Sequence, residues 1–153
     1  MHQFDATDRA LLRLLQDDAS LSVADLAAAS GMTHGACWRR IERLERDGVI
    51  RTREVVIDPR ALGYEVQVFL RVTLDKTAPN AFDAFIAAAR EIPHVVTIET
   101  LLGRVDVRMD VIARDLAHYQ EIYQDRILAL PHIADIEALM LVSELKNSER
   151  LAI

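Results

Sequence analysis

The stretch from Thr33 to Gly48 constrains this chain most, because it writes both ends of a helix into the sequence. The Thr33 hydroxyl suits an N-cap, accepting from an unpaired amide of the first turn. Gly48 suits the left-handed conformation that closes a helix. Between them Cys37, Ile41 and Leu44 recur at helical spacing and define one buried stripe. A shorter helix is expected just before, capped by Ser22, with Val23, Leu26 and Ala27 inward and Ser30-Gly31 at its end. Short helix, glycine turn, longer helix is the helix-turn-helix layout. A preceding helix starts at Asp5, where Asp8 completes a carboxylate capping box, and turns Leu11, Leu12, Leu14 and Leu15 inward. After Gly48 the β-prone runs Val49-Ile50 and Val55-Val56-Ile57 predict a small wing hairpin.

The outer arc of the Thr33 helix carries Gly35, Trp38, Arg39, Glu42, Arg43 and Arg46, and Arg51 and Arg53 follow it. Six arginines against three acids leave Thr33–Arg53 at +3, in a chain whose net charge is −6. Arginine both neutralises phosphates and reads guanine edges bidentately in the major groove. The competing explanation is a solvated helix laced by Arg39, Glu42, Arg43 and Arg46 pairs. His34, Gly35, Arg39 and Arg43 are the stronger candidates for DNA contact. Arg40 lies nearer the buried stripe and is expected to form an ion pair inside the domain. Trp38 has two readings, packing on DNA or covering the edge of the helical core with its N–H in water.

An acidic chain is unsuited to indiscriminate polyanion binding, but screening confines charge effects to about 8–10 Å at physiological salt, so a local basic footprint survives. No run approaches the roughly 18–20 apolar residues of a membrane span, and the first residues lack a signal-peptide layout. A cytoplasmic protein without membrane attachment is expected. The single cysteine, Cys37, sits on the apolar stripe and reads as packing. His2, His34, His94, His118 and His132 are scattered without metal-ligand spacing, and no nucleophile elbow, P-loop or dinucleotide fingerprint occurs. No metal, cofactor or catalytic group is therefore assigned.

Asp58-Pro59-Arg60-Ala61-Leu62-Gly63-Tyr64 reads as a linker. Beyond it the periodicity predicts strands at Val66–Leu74, Val95–Leu102, Val105–Ala113 and Ile133–Leu145. Helices are expected at Pro79–Ile92 and Asp115–Leu130, the second with Leu116, Tyr119, Ile122, Tyr123, Ile127 and Leu130 inward. The order βαββαβ is the ferredoxin-like arrangement, four antiparallel strands with two helices on one face. Phe69, Val96, Ile98 and Leu139 are read as an apolar outer face that pairs with a second copy. The chain thus divides into a DNA-binding domain over 1–57, a linker over 58–64 and a second domain over 65–153, an α+β protein with a winged helix-turn-helix first.

Several segments together resemble the Lrp/AsnC (feast/famine) transcription regulators: D-A-T-D-R-A-L-L-R-L-L-Q-D-D-A, W-R-R-I-E-R-L-E-R-D-G-V-I, D-P-R-A-L-G-Y and V-S-E-L-K-N-S-E-R-L. The resemblance implies a regulator of transcription that binds double-stranded DNA and responds to an amino acid or related small metabolite. It also implies homodimers that assemble into tetramers or octamers. The family's effector turn, usually G-D-Y/F-D, reads Gly103-Arg104-Val105-Asp106 here. Gly103 and Asp106 match. Asp106 could bind an α-ammonium group, while Arg104 reverses a charge and favours an anionic effector group. Otherwise the turn only joins two strands, with Arg104 paired to a carboxylate. Two rival functions remain: an enzyme like the regulator-like decarboxylases of this outline, and a sensing module whose helices contact protein.

Overall fold

The computed structural model describes residues 4–146 and 150–153; His2 and residues 147–149 of the C-terminal motif lie outside the described residues. The chain divides into two compact units, one of 1–56 with 146–153 and one of 57–145. The C-terminal segment expected in the second domain thus belongs to the first unit. There Gln16 exchanges two hydrogen bonds with the Leu151 backbone, and Arg150 pairs with Asp17 at 2.6 Å. Those polar partners on the first helix outweigh continuity with the preceding strand.

The first unit holds α1 (Ala6–Asp17), α2 (Val23–Ser30) and α3 (His34–Arg46). Capping boxes open α1, between Asp5 and Asp8, and α2, between Ser22 and Asp25. Thr33 accepts from the Ala36 amide at the start of α3. Gly31, at φ 67°, closes α2 and lies two residues before that cap. Leu11, Leu26, Ala27, Cys37 and Ile41 form the buried core of this unit.

The expected wing hairpin is absent: no strand is assigned between residues 49 and 57. The Val49 and Ile50 amides both donate to the Leu44 carbonyl, so the first wing strand is spent closing α3. Val55 and Val56 are then left about nine-tenths exposed. An isolated two-stranded hairpin is marginal without a surface to pack on.

In the second unit, a 3-10 turn over Arg60–Leu62 precedes β1 (Val66–Leu74), α4 (Ala81–Arg90), β2 (Val95–Thr100), β3 (Val107–Ala113), α5 (Leu116–Ile122) and β4 (Ile133–Met140). The strands form one antiparallel sheet in the order β2-β3-β1-β4, the ferredoxin-like pattern. A π-helical turn, Tyr123–Ile127, extends α5. Val68, Leu70, Val72, Phe85, Met109, Val111 and Ile127 are fully buried between sheet and helices.

Several expectations about this unit fail: β2 stops at Thr100 short of Leu102, and β3 begins at Val107 rather than Val105. β4 ends at Met140 rather than Leu145, and Val142 and Leu145 are exposed. Leu116, in the first turn of α5, is half exposed. Ile98 packs on the core instead of the outer face. The cause of the last is a bulge: Val95 pairs with Val111 and Thr97 with the adjacent Asp110, so Val96 is the extra residue. That insertion resets which side chains point inward. Phe69 and Leu139 remain directly opposed on the outer face.

Candidate nucleic-acid interface and effector turn

The helix presented to solvent is α3. Its stripe of Cys37, Ile41 and Leu44 is buried, the first two against the other helices, which fixes the opposite arc outward. Burial pushes the Cys37 thiol above its usual pKa, as expected for a packing residue rather than a reactive one. His34, Gly35, Arg39, Glu42 and Arg46 are exposed, and Trp38 is half exposed. A Cβ on Gly35 would meet Nη1 of Arg39 at 3.6 Å, so the guanidinium folds back along the first turn of the helix. Ala36, Arg39, Arg40, Glu42, Arg43 and Arg46 line a shallow recess on this face. After the helix, Arg51 and Arg53 are exposed, and Arg53 lies 3.5 Å from Glu45.

Two arginines of the basic stretch face inward to α1. Arg40 Nη1 donates to Asp5 at 2.7 Å and to Asp8 at 2.8 Å, the ion pair expected of it. Those bonds raise the Arg40 pKa further; Asp5 is held low by the Asp8 amide and then by Arg40. Arg43, a candidate for DNA contact, donates from Nη2 to Asp8 at 2.6 Å. Asp8 is 1% exposed. A buried carboxylate at the start of α1 captures the guanidinium because an unpaired charge there would be costly. Spacing along α3 alone cannot reveal Asp8, which lies 35 residues away.

The turn between β2 and β3 brings Gly103, Arg104, Val105 and Asp106 together at one end of the sheet. Gly103 and Arg104 are exposed and Val105 is half-buried. Gly103 has no positive φ, and a Cβ there would meet nothing within 4 Å. Packing within the chain therefore does not require glycine at this position. Asp106 is nine-tenths buried and both its oxygens are engaged. The Leu74 amide donates to Oδ2 at 2.9 Å, and Lys76 Nζ lies 2.7 Å from Oδ1. Lys76, followed by the Leu74 amide, holds this carboxyl below its usual pKa. Lys76 was not anticipated; its ammonium occupies the place expected for an effector's.

Residues 67–151 match the family described as Lrp/AsnC ligand binding domain, and residues 4–51 match winged helix-turn-helix DNA-binding. The chain belongs to the Lrp/AsnC family. A glutamate uptake regulatory protein of Zymomonas mobilis is 30% identical over 148 residues, covering 97% of this chain and 90% of the relative. Among solved structures, an AsnC family transcriptional regulator from Agrobacterium tumefaciens has a TM-score of 0.86 at 34% identity, covering 97% of this chain and 96% of that one. A Neisseria meningitidis transcriptional regulator solved with L-Met has a TM-score of 0.89 at 24% identity, covering 97% and 96%, and is alike in fold. This Lrp/AsnC chain is thus a DNA-binding transcription regulator with an amino-acid-type ligand domain. Among the described residues no helix is long and apolar enough to cross a membrane, and no cluster of three or more metal-ligating side chains occurs.

Proposed function

We propose that this chain is a cytoplasmic, homodimeric regulator, not an enzyme, that reads a pseudo-palindromic DNA site with two copies of α3. The observation that carries the reading is the division of α3 into a buried stripe and an exposed arc bearing His34, Gly35, Trp38, Arg39, Glu42 and Arg46. Arg39 reads a base edge. Arg46, Arg51 and Arg53 hold phosphates, with Arg43 joining them only as Asp8 allows. Twofold symmetry puts the two helices about one helical turn apart. Dimerisation uses the open sheet face around Phe69, Val96 and Leu139, and dimers assemble further into tetramers or octamers.

The effector in this reading is an α-amino acid or a close relative. The Zymomonas relative's name refers to glutamate uptake, and the Neisseria structure holds L-Met. Gly103, Arg104, Val105 and Asp106 form the contact, with Arg104 taking a carboxylate. Gly103 supports this, since nothing inside the chain demands it. An incoming ammonium group must compete with Lys76 for Asp106. Binding one arrangement of dimers better than another then shifts DNA affinity.

Titrating Trp38 fluorescence with DNA from upstream of the protein's own and neighbouring genes, at two salt concentrations, tests the reading. Saturable binding that weakens with salt and exceeds binding to random DNA is expected. Gel mobility on the same samples covers a silent Trp38. Silence in both at low salt removes DNA binding. Repeating the titration with a panel of amino acids identifies the effector class.

A further inference from the structure

Asp8 has more partners than a helix cap needs. Its Oδ2 closes the capping box by accepting from the Asp5 amide, and the same carboxylate takes Arg40 on Oδ1 and Arg43 on Oδ2. Arg40 and Arg43 are three residues apart on α3, so their side chains leave the helix on one side. Arg40 also reaches Asp5, making a group of two carboxylates and two guanidinium ions with no net charge. The two arginines differ in position: Arg40 is 30% exposed and contacts one oxygen each of Asp5 and Asp8, whereas Arg43 is 40% exposed and is tied to Asp8 alone among the described ion pairs. Arg43 also lines the recess on the outer face of α3 beside Arg39 and Arg46. It therefore stands between a buried carboxylate and the surface offered to DNA.

We propose that Asp8 is a positioning residue for DNA recognition: it withholds Arg43 from the phosphate backbone, so that α3 approaches DNA with fewer sequence-blind charges. The proposal rests on α3 being the recognition helix. Two effects follow from the geometry. Anchoring at Arg40 and Arg43 fixes the roll of α3 against α1, and with it the side from which Arg39 leaves the helix. Holding Arg43 on Asp8 removes one counterion-releasing contact per chain, the kind that binds any sequence equally. A phosphate must outbid a 2.6 Å bond to a fully buried carboxylate before it gains Arg43. The net effect is a lower affinity for random DNA at little cost to the operator.

The test measures the salt dependence of binding by the full chain to a random-sequence duplex and to the best-binding upstream fragment. Arg43→Ala should leave the slope of log K against log salt unchanged on random DNA. Asp8→Asn, which keeps the size and removes the charge, should steepen that slope by about 0.9 per chain as Arg43 reaches a phosphate. Its ratio of specific to random affinity should fall. Asp8→Asn combined with Arg43→Ala should show no steepening, which separates release of Arg43 from a general loosening of the fold. A slope that flattens by about 0.9 in Arg43→Ala alone, or one unchanged in a folded Asp8→Asn, overturns the proposal. If Asp8→Asn does not fold, Arg43→Ala decides. Failure of the unaltered chain to bind either DNA would instead sink the recognition-helix reading on which this rests.

Discussion

Lys76 and Asp106 form a 2.7 Å ion pair at the mouth of the β2–β3 turn, with the buried side of the same carboxylate bonded to the Leu74 amide. One residue thus ties the end of β1 to the start of β3 and also faces the candidate effector turn. Its folded pKa is lowered from 3.8, so the stability it contributes is present above that value and is lost as pH falls through the lower folded one. Acid unfolding of the chain, followed by circular dichroism below about pH 4, should therefore flatten in Asp106→Asn. An unchanged acid limb would mean the carboxylate is not a stabilising anchor.

Because Asp106 is an anchor, its removal is a poor probe of effector binding. Lys76→Ala is cleaner. It opens Oδ1 without touching the bond to Leu74, and the apparent affinity for a responsive amino acid should rise several-fold as competition disappears. A weaker response would instead make Lys76 part of the effector's own binding set. Isothermal titration distinguishes the two.

Arg39→Ala should weaken binding to the cognate site by about 1–3 kcal/mol and relax preference at one base position. Operators substituted one base at a time, compared by gel mobility, read this directly. Equal weakening across all sequences would reassign Arg39 to phosphate.

Arg40→Ala should lower stability of the helical unit by about 2 kcal/mol, since it strips a charged hydrogen bond from buried Asp8 and leaves Arg43 as partner. Thermal unfolding checks it. No change in melting temperature would mean that Arg43 alone satisfies the carboxylate.

Ile98 and Val96 are two residues apart on β2 and should behave oppositely. Ile98→Ala removes apolar packing against the core and should cost about 1–2 kcal/mol of stability. Val96→Ser lies on the outer face, and should leave folding nearly intact while weakening self-association. Light scattering against concentration, beside a melting curve, separates the effects. Unimpaired self-association in folded Val96→Ser would move the dimer contact off this part of the sheet.

The helices of the first unit were legible because each carries its own ends: Asp5, Ser22 and Thr33 as caps, Gly31 and Gly48 as stops. Those signals act within a few residues, through bonds to the nearest amides. The same locality made β1 legible to its boundaries and made the βαββαβ order plain. The exposed arc of α3 was also readable, since a buried stripe fixes what faces away from it. By itself, then, the sequence determined the three helices of the first unit, the βαββαβ order of the second and the exposed arc of α3.

Tertiary structure alone decided which of those charges are committed and which strand residues face inward. Arg43 looked like Arg46 on a helical wheel until Asp8, from another helix, took its guanidinium. Ile98 alternated outward until the bulge at Val96 reset the register. The wing strand failed because the Val49 and Ile50 amides found Leu44 first. For Arg43 and Ile98 the deciding partner is remote in sequence or lies in a neighbouring strand, whereas the wing gave way to bonds that close α3 on its own Leu44 carbonyl. Electrostatic pairing and ladder register depend on distance in space, which local periodicity does not encode.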